Sequence, residues 1–265
     1  MKNLMFLSGL PRTGSTLLTS LLNQHPSIYA SGSSPLSDLI YKTDISLQEL
    51  DKIYSIPNTR KLNIYGAILD SFYKDINKDL IIDKHRAWIK NFNGLNIFYK
   101  NPKIIFTIRP ISEVIASYLK LVEKNIMLGK SNFIDEDLKS KNLDCTNDNR
   151  AKYIWHMLND PEGPLYNLDN IVNQHKNNIL FVYYDDLVCN TIDTLASVLS
   201  FCQIDSYRNF DFNNIINTNP ELDENGWGMY GLHDIRQTLG KESIPLEKFV
   251  SPSLVDFFNG IKLPS

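Results

Sequence analysis

Cysteine is scarce in this sequence: its 265 residues contain three, Cys145, Cys189 and Cys202, and no CxxC pair. An odd number without paired spacing argues against a disulfide framework and a cysteine zinc site, and it favours a reducing compartment. A dominant charge is lacking as well, because 27 Lys and Arg oppose 30 Asp and Glu, for a net charge of −3. This balance gives no general attraction to nucleic acid or to an anionic membrane, so any anion site must be built locally.

Long apolar runs are also missing. The N-terminus is apolar for only a few residues before a glycine, too few for a signal peptide, and no uninterrupted run approaches the length that crosses a membrane. The apolar content of 43% is that of an ordinary globular protein. We therefore expect a cytoplasmic chain without a membrane partner, folded as a single domain over residues 1–265.

Apolar strands alternate with helical patterns along the chain. "LMFLSG" predicts a buried strand, and "STLLTSLLNQHP" predicts a helix that stops at a proline. "KIIFTIRP" followed by "ISEVIASYLKLVEKN" repeats this unit, with Ser112 as the expected N-cap of the helix. A third unit, "NILFVYYDDLV" before "TIDTLASVLSFCQI", has the same form. Strands that alternate with helices predict an α/β fold, with a parallel sheet covered on both faces.

Two helix-rich excursions, at about 35–80 and 122–176, separate these units. The most polar stretch, from Asn132 to Arg150, is expected to be a surface excursion that acts as a lid or a substrate loop. Neither excursion is bounded by a Pro/Gly/Ser-rich linker.

The first strand-to-helix connection, "FLSGLPRTGSTLL", has nearly the pattern of a nucleotide-binding P-loop. Gly9 and Gly14 stand five residues apart and hydroxyls follow at Ser15 and Thr16, but the expected lysine is missing and Arg12 lies inside the loop. The start of a helix offers free backbone N–H groups and partial positive charge, and an arginine grips phosphate or sulfate with two donors. The pattern favours an anion cradle over an ordinary strand-to-helix turn.

A second arginine, Arg109, stands at the carboxyl end of its predicted strand, where α/β sheets bind their ligands. Ser117 follows eight residues later on the next helix, close enough to meet the same anion if the turn folds the helix back. The two cradles together indicate a ligand with phosphates at two separated points.

Three segments carry a family resemblance. "GLPRTGSTLLTSLLNQHP" resembles the 5′-phosphosulfate loop of the sulfotransferases that use 3′-phosphoadenosine 5′-phosphosulfate (PAPS), above all the tyrosylprotein and related bacterial branches. "IIFTIRPISEVIASYLK" resembles their 3′-phosphate motif, and "VYYDDLV" before "LSFCQI" resembles a late family segment. The three stand in the family's order between residues 5 and about 204. The resemblance implies a P-loop NTPase-like sulfotransferase fold, three layers with a central parallel β-sheet flanked by helices.

The resemblance also implies a cosubstrate, PAPS, with 3′-phosphoadenosine 5′-phosphate (PAP) as the product. The matching positions on the 5′ side are Arg12, Thr13, Gly14, Ser15 and Thr16. The positions that match the 3′-phosphate site are Arg109 and Ser117. Tyr184 matches a family tyrosine near the nucleotide. In "GLHDIRQTLGK", Arg236 and Lys241 stand where the family has a loop that closes over the nucleotide.

Sulfuryl transfer moves a group with less charge than a phosphoryl group, so we expect in-line displacement without a metal. Arg12 is one cation that faces the developing charge, and Lys84 in "LIIDKHRAW" resembles the family lysine at the bridging oxygen. In the tyrosylprotein branch a glutamate is the base, but the matching stretch "ASGSSPL" carries no carboxylate. The candidates for the base are His85, which we favour, His233 and Asp38.

Adjacent residues of an extended segment point to opposite sides, so His85 is expected to face away from the side that Lys84 faces.

Two other functions stay open from the sequence. A P-loop kinase is the main alternative, although the loop has no lysine and the strand before Arg109 has no acid for Mg²⁺. A non-catalytic protein that binds PAP or PAPS is the second. The acceptor is open among a sugar, a peptide tyrosine, a small alcohol and an amine, and so is the oligomeric state.

Overall fold

Five parallel strands form one central sheet in this computed structural model, which describes residues 3–217, 228–241 and 244–264. The sheet order is β2-β3-β1-β4-β5, and every neighbouring pair is parallel. The strands are β1 (Leu4–Gly9), β2 (Ile28–Ala30), β3 (Leu80–Lys84), β4 (Ile104–Ile108) and β5 (Ile179–Tyr183). The predicted α/β fold with a parallel sheet is confirmed.

Helices join successive strands and cover the sheet. Those between β1 and β4 are α1 (Ser15–Leu22), α2 (Leu36–Tyr54), α3 (Asn58–Phe72) and α4 (Phe92–Phe98). Those between β4 and β5 are α5 (Ile111–Met127), α6 (Phe133–Ser140), α7 (Asn147–Asn159) and α8 (Leu168–His175). After β5 come α9 (Tyr184–Cys189), α10 (Thr191–Cys202) and α11 (Pro252–Asn259). No helix among the described residues has both the length and the apolar character to cross a membrane.

The strands are largely apolar because both faces of the sheet are covered, as parallel sheets require. Successive side chains of β1 alternate between two cores: Phe6 packs on one face, with Trp88 and Phe106, whereas Leu7 packs on the other. The core on the face of Leu7 is completed by α1 and α10. This sandwich fixes the carboxyl ends of the strands at one edge, which is where the candidate site lies.

Three local expectations need correction. The N-cap of α5 is Pro110, and Ser112 lies inside the first turn, because the fixed φ of proline already starts the helix. The strand β5 stops at Tyr183, and "YDDLVC" forms α9 instead of continuing it. The helix α1 ends at Leu22, four residues before the proline that was expected to stop it.

The polar stretch from Asn132 to Arg150 is not a free loop. It forms α6 and the start of α7, and the Arg150 guanidinium donates from Nε to Asp135 Oδ1 at 2.7 Å and from Nη2 to Oδ2 at 2.8 Å. Burial alone would raise the pKa of Asp135, but the hydrogen bonds from Arg150 and Asn132 outweigh it and lower the pKa. This fork ties α6 to α7, so the stretch is packed helical structure.

A fully buried carboxyl, Asp83, lies in β3 one residue before Lys84. Trp88 Nε1 donates to its Oδ1 at 2.6 Å and the Tyr73 hydroxyl donates to its Oδ2 at 2.5 Å. Burial raises the pKa of Asp83, against the opposing effect of hydrogen bonds from Ser34, Tyr73 and Trp88. Asp83 therefore links α3 and the turn after β3 to the strand that carries Lys84.

We predict that Asp83→Asn lowers the free energy of unfolding by about 1–3 kcal/mol, because an amide N–H₂ then faces a donor inside the protein. The folded-state pKa of Asp83 is raised, so its contribution is largest below the unfolded carboxyl pKa and declines as pH rises. The difference between the wild type and the variant should therefore shrink as pH rises above about 4. Urea unfolding at several pH values measures it, with exposed Asp79→Asn as the control. Equal stability of Asp83→Asn and wild type at every pH would contradict the expectation.

Candidate functional site

A cavity of about 350 Å³ opens at the carboxyl ends of β1, β3 and β4, beside the start of α9. Ligands of α/β sheets bind at this edge. Among its lining residues are the predicted residues Arg12, Gly14, Ser15, Thr16, Lys84, His85, Arg109, Ser117, Tyr184, His233 and Arg236. Five separate parts of the sequence therefore meet around one space.

The connection from β1 to α1 is held close to β4 by its glycines. Gly9 has φ +149°, and a Cβ there would lie 2.2 Å from Thr107 Oγ1. Gly14 has φ +80°, and a Cβ there would lie 2.9 Å from the Tyr184 ring. Gly14 is the N-cap of α1, and no side chain of the described residues caps this helix. The first-turn N–H groups of α1 therefore point at the cavity with their partial positive charge.

The Thr13 side chain does not face the cavity, although Thr13 was predicted to bind the ligand. Its hydroxyl donates to the Leu10 carbonyl at 2.5 Å and lies 2.7 Å from Thr107 Oγ1, and the residue is 1% exposed. Thr13 does not line the cavity. Because both of these contacts lie within the protein, the hydroxyl attaches the loop to β4 and is not directed toward a ligand.

Lys84 reaches the same loop from β3. The parallel register pairs Lys84 with Leu7, so its side chain leaves the sheet beside the β1–α1 connection. Its Nζ donates to Thr16 Oγ1 at 3.0 Å. An ammonium and the N-terminus of α1 thus face one end of the cavity.

Arg12 lies between the two predicted cradles. The residue has φ +61°, a left-handed conformation that turns its side chain across the cavity. Its Nε donates to Ser117 Oγ at 3.2 Å, and its Nη1 donates to the Leu232 carbonyl. Ser117 accepts this bond, so its own hydroxyl hydrogen remains available to an anion. Arg12 therefore contacts the Ser117 side of the cavity as well as the loop that carries it.

The Arg109 guanidinium is 5% exposed and held from three directions. Its Cζ lies 4.2 Å from the centre of the Tyr184 ring, its Nε donates to Glu113 Oε2 at 2.8 Å, and its Nη1 donates to the Arg12 carbonyl at 3.4 Å. Tyr184 thus forms a flat support for the guanidinium. Glu113 was not identified from the sequence; it lies in the first turn of α5, whereas Arg109 precedes the N-cap of that helix.

The segment 228–241 covers the cavity from the C-terminal part of the chain. His233 and Arg236 line it, and Lys124 holds the segment through Asp234 at 2.8 Å. Lys241 does not line the cavity, contrary to expectation. Its ammonium lies 2.6 Å from Asp185 Oδ2, and this hydrogen bond raises the pKa of Lys241. The lysine that was expected to bind the ligand is therefore paired with the Asp185 carboxylate.

His85 and Lys84 both line the first cavity, but their side chains contact different helices: Lys84 Nζ donates to Thr16 of α1, whereas His85 lies beside Asp38 of α2. The chain turns into a short 3-10 helix at Arg86, and His85 Nδ1 caps it by accepting the Ala87 N–H at 3.2 Å. In the neutral ring this leaves the proton on Nε2, which lies 3.5 Å from Asp38 Oδ1. Two of the three base candidates therefore form one pair.

A second cavity, of about 450 Å³, lies between α2, α3 and α4. Its apolar wall consists of Ile40, Tyr41, Trp88, Leu95, Ile97 and Phe98. At its polar end Asp44 accepts hydrogen bonds from the Tyr65 hydroxyl and from Gln48 Nε2, both at 2.6 Å. Burial and the bond to Asp44 raise the pKa of Tyr65 to about 12. Residues 84–86 line the first cavity and Trp88 lines the second, so the segment of His85 borders both.

Positive charge is concentrated at the first cavity although the chain is net negative. Arg86 and Ser33 also line it and were not identified from the sequence. The basic run after β3 is the signal that identifies Arg86. Cations on this cavity are Arg12, Lys84, Arg86, Arg109 and Arg236, with Asp234 as an opposing charge.

Known proteins resemble the chain in sequence and in fold. A family model described as the sulfotransferase family matches residues 5–208. A sulfotransferase from Mycobacterium avium superposes with a TM-score of 0.52 at 12% identity, over 97% of this chain and 75% of that one. A sulfotransferase from Alicyclobacillus acidocaldarius superposes with a TM-score of 0.50 at 13% identity, over 84% and 89%.

At these identities the structural likeness shows the fold, and a search of curated proteins found no match. The family model covers more than half of the sequence, including the β1–α1 loop, Lys84, Arg109 and Tyr184. The chain belongs to the sulfotransferase family.

Proposed function

We propose that the protein transfers the sulfuryl group of PAPS to a hydroxyl acceptor. The observation that carries this proposal is that one cavity has two anion-binding ends. The uncapped N-terminus of α1 with Lys84 forms one end, and Arg109 with Ser117 forms the other. A nucleotide with a phosphosulfate on its 5′ oxygen and a phosphate on its 3′ oxygen matches both, and a cavity of about 350 Å³ falls in the usual range for such ligands.

When bound, PAPS supplies an activated sulfuryl group whose leaving group is a phosphate. The acceptor oxygen forms a bond to sulfur, the bond between sulfur and the bridging oxygen breaks, and that oxygen keeps the electron pair. Lys84 and the N–H groups of α1 stabilise the negative charge at this oxygen, because they are fixed donors. Arg12 joins the two ends by holding Ser117.

Asp38 accepts the acceptor's proton in this proposal, and His85 positions it. The His85 Nδ1 lone pair is already used by the Ala87 N–H, so the neutral ring has a donor and no acceptor to offer. The Asp38 carboxylate has free lone pairs and is 57% exposed; it lines neither cavity itself but adjoins both through its neighbours Ser37 and His85. The base is thus Asp38 instead of the favoured His85.

The acceptor's apolar body enters the cavity between α2 and α4. Most of its wall is aromatic or aliphatic, as in sites for small organic ligands, and its polar residues are Ser37, Asp44, Gln48, Lys90 and Asn91. The stretch from 132 to 150 contributes no residue to this cavity or to the first. A small, largely apolar alcohol or phenol fits this lining better than a sugar does.

We expect calorimetry to show that the protein binds PAP, and that ATP with Mg²⁺ does not displace it. Arg109→Ala should weaken PAP binding by about 2–5 kcal/mol, because it removes one partner of a buried charged contact. The exposed Arg208→Ala serves as the charge-matched control and should leave the affinity unchanged. Tight binding of ATP with Mg²⁺ and none of PAP would support a kinase instead.

We expect Asp38→Ala to lower turnover by about 10²–10⁴-fold with little change in PAP affinity, because a proton acceptor acts on the chemical step. Added formate should restore part of this activity, since it supplies a carboxylate in the space left. The measurement is labelled-sulfate transfer from PAPS to 2-naphthol. If added imidazole restores His85→Ala and formate fails with Asp38→Ala, His85 is the base.

Gly94 provides a way to fill the second cavity. It lines the cavity within α4, and a Cβ there would meet no atom within 4 Å. We expect Gly94→Leu to lower kcat/KM for 2-naphthol at least tenfold, about 1.4 kcal/mol, with unchanged PAP affinity. Gly66→Leu is the matched control, because Gly66 has equal space in α3 and lines neither cavity. Unchanged kcat/KM, or no transfer to 2-naphthol by the wild type, would contradict this acceptor site.

A further inference from the structure

Glu113 is the counter-ion of the arginine at the 3′ end of the nucleotide cavity. It stands in the first turn of α5, four residues after Arg109, and its Oε2 accepts from Arg109 Nε at 2.8 Å. The Glu113 side chain is 28% exposed, whereas that of Arg109 is 5% exposed. A carboxylate therefore touches the guanidinium on which the proposed function depends.

This contact leaves one edge of the guanidinium for a ligand. Nε is used by Glu113, Nη1 by the Arg12 carbonyl, and one face by the Tyr184 ring. Within the described residues, no hydrogen bond is made by Arg109 Nη2. A buried guanidinium without a counter-charge is costly and tends to leave its position. Glu113 thus keeps Arg109 fixed, with Nη2 on the cavity side.

The same carboxylate opposes an incoming anion. A phosphate at Arg109 would share with Glu113 both the guanidinium and the N-terminus of α5, and like charges against one cation repel at low local dielectric. The influence of Glu113 reaches further, because its charge also contributes, after that of Asp185, to the raised pKa of Lys241. The Glu113 side chain therefore both positions Arg109 and repels an incoming phosphate.

We propose that Glu113 is a positioning and affinity-setting residue: it holds Arg109 ready for a 3′-phosphate, and its charge limits how tightly that phosphate is kept. The inference rests on the proposed function, in which Arg109 binds the 3′-phosphate. The negative charge promotes release of the bisphosphate product, a step that limits many transferases. Glu113 touches neither reacting atom, so its effect acts through Arg109.

The experiment uses two variants that separate the two effects. Glu113→Gln keeps an oxygen that accepts from Arg109 Nε but removes the charge, so PAP should bind about tenfold more tightly and dissociate more slowly. Glu113→Ala removes the acceptor as well, and Arg109 loses its support, so PAP should bind more weakly than to Glu113→Gln. Glu123→Gln, at an exposed position of α5, is the charge-matched control and should behave as the wild type.

The readout is PAP affinity and dissociation rate at low and at high salt, with 5′-AMP as the ligand that lacks the 3′-phosphate. Affinity for 5′-AMP should be equal within about twofold in all proteins, and the gain of Glu113→Gln for PAP should shrink in high salt. A purely structural role would change both ligands together. Unchanged or weaker PAP binding by Glu113→Gln would overturn the inference. If the wild type itself does not prefer PAP to 5′-AMP, the proposed function fails, and this outcome is separate from the comparison of variants.

Discussion

The attachment of the β1–α1 loop to Thr107 is the contact on which the site depends. Gly9 leaves no room for a Cβ against Thr107, Leu10 N–H donates to the Thr107 carbonyl at 3.1 Å, and the Thr13 hydroxyl lies 2.7 Å from Thr107 Oγ1. Arg109 follows Thr107 by two residues and lies directly after the end of β4. The end of β4 thus positions both the β1–α1 loop and Arg109, so the spacing between them depends on a rigid sheet.

Several cations at or beside the site are held by partners within the protein. Arg109 has Glu113, Lys241 has Asp185, and Arg12 is held by Ser117 and the Leu232 carbonyl. Buried cations need such partners in the folded chain, and the partners keep the side chains oriented. The consequence is a site whose geometry is prepared in advance, at the expense of affinity for any ligand that carries the same charge as the partners.

The sequence predicted the frame of the site better than its side-chain contacts. Strand ends and helix starts follow from apolar runs, glycines and prolines, which is why β1, α1, β4 and α5 lie where expected. Three side-chain contacts depend on residues far along the chain or on a local turn. They are the inward turn of Thr13, the pairing of Lys241 with Asp185 and the cap made by His85. Periodicity carries no information on such partners. Glu113 had no periodic signal either, because Arg109 lies before the helix that carries Glu113.

Different parts of the fold build the two cavities. The lining of the cavity between α2 and α4 comes from helices inserted between β2 and β4. The first cavity, by contrast, uses the carboxyl ends of β1, β3 and β4. Asp38 and His85 lie at the border, one on the inserted helix α2 and one directly after β3. Under the proposed function, changes in α2 or α4 would alter the acceptor while the strand ends at the first cavity stay the same, because among the described residues the two linings have no residue in common.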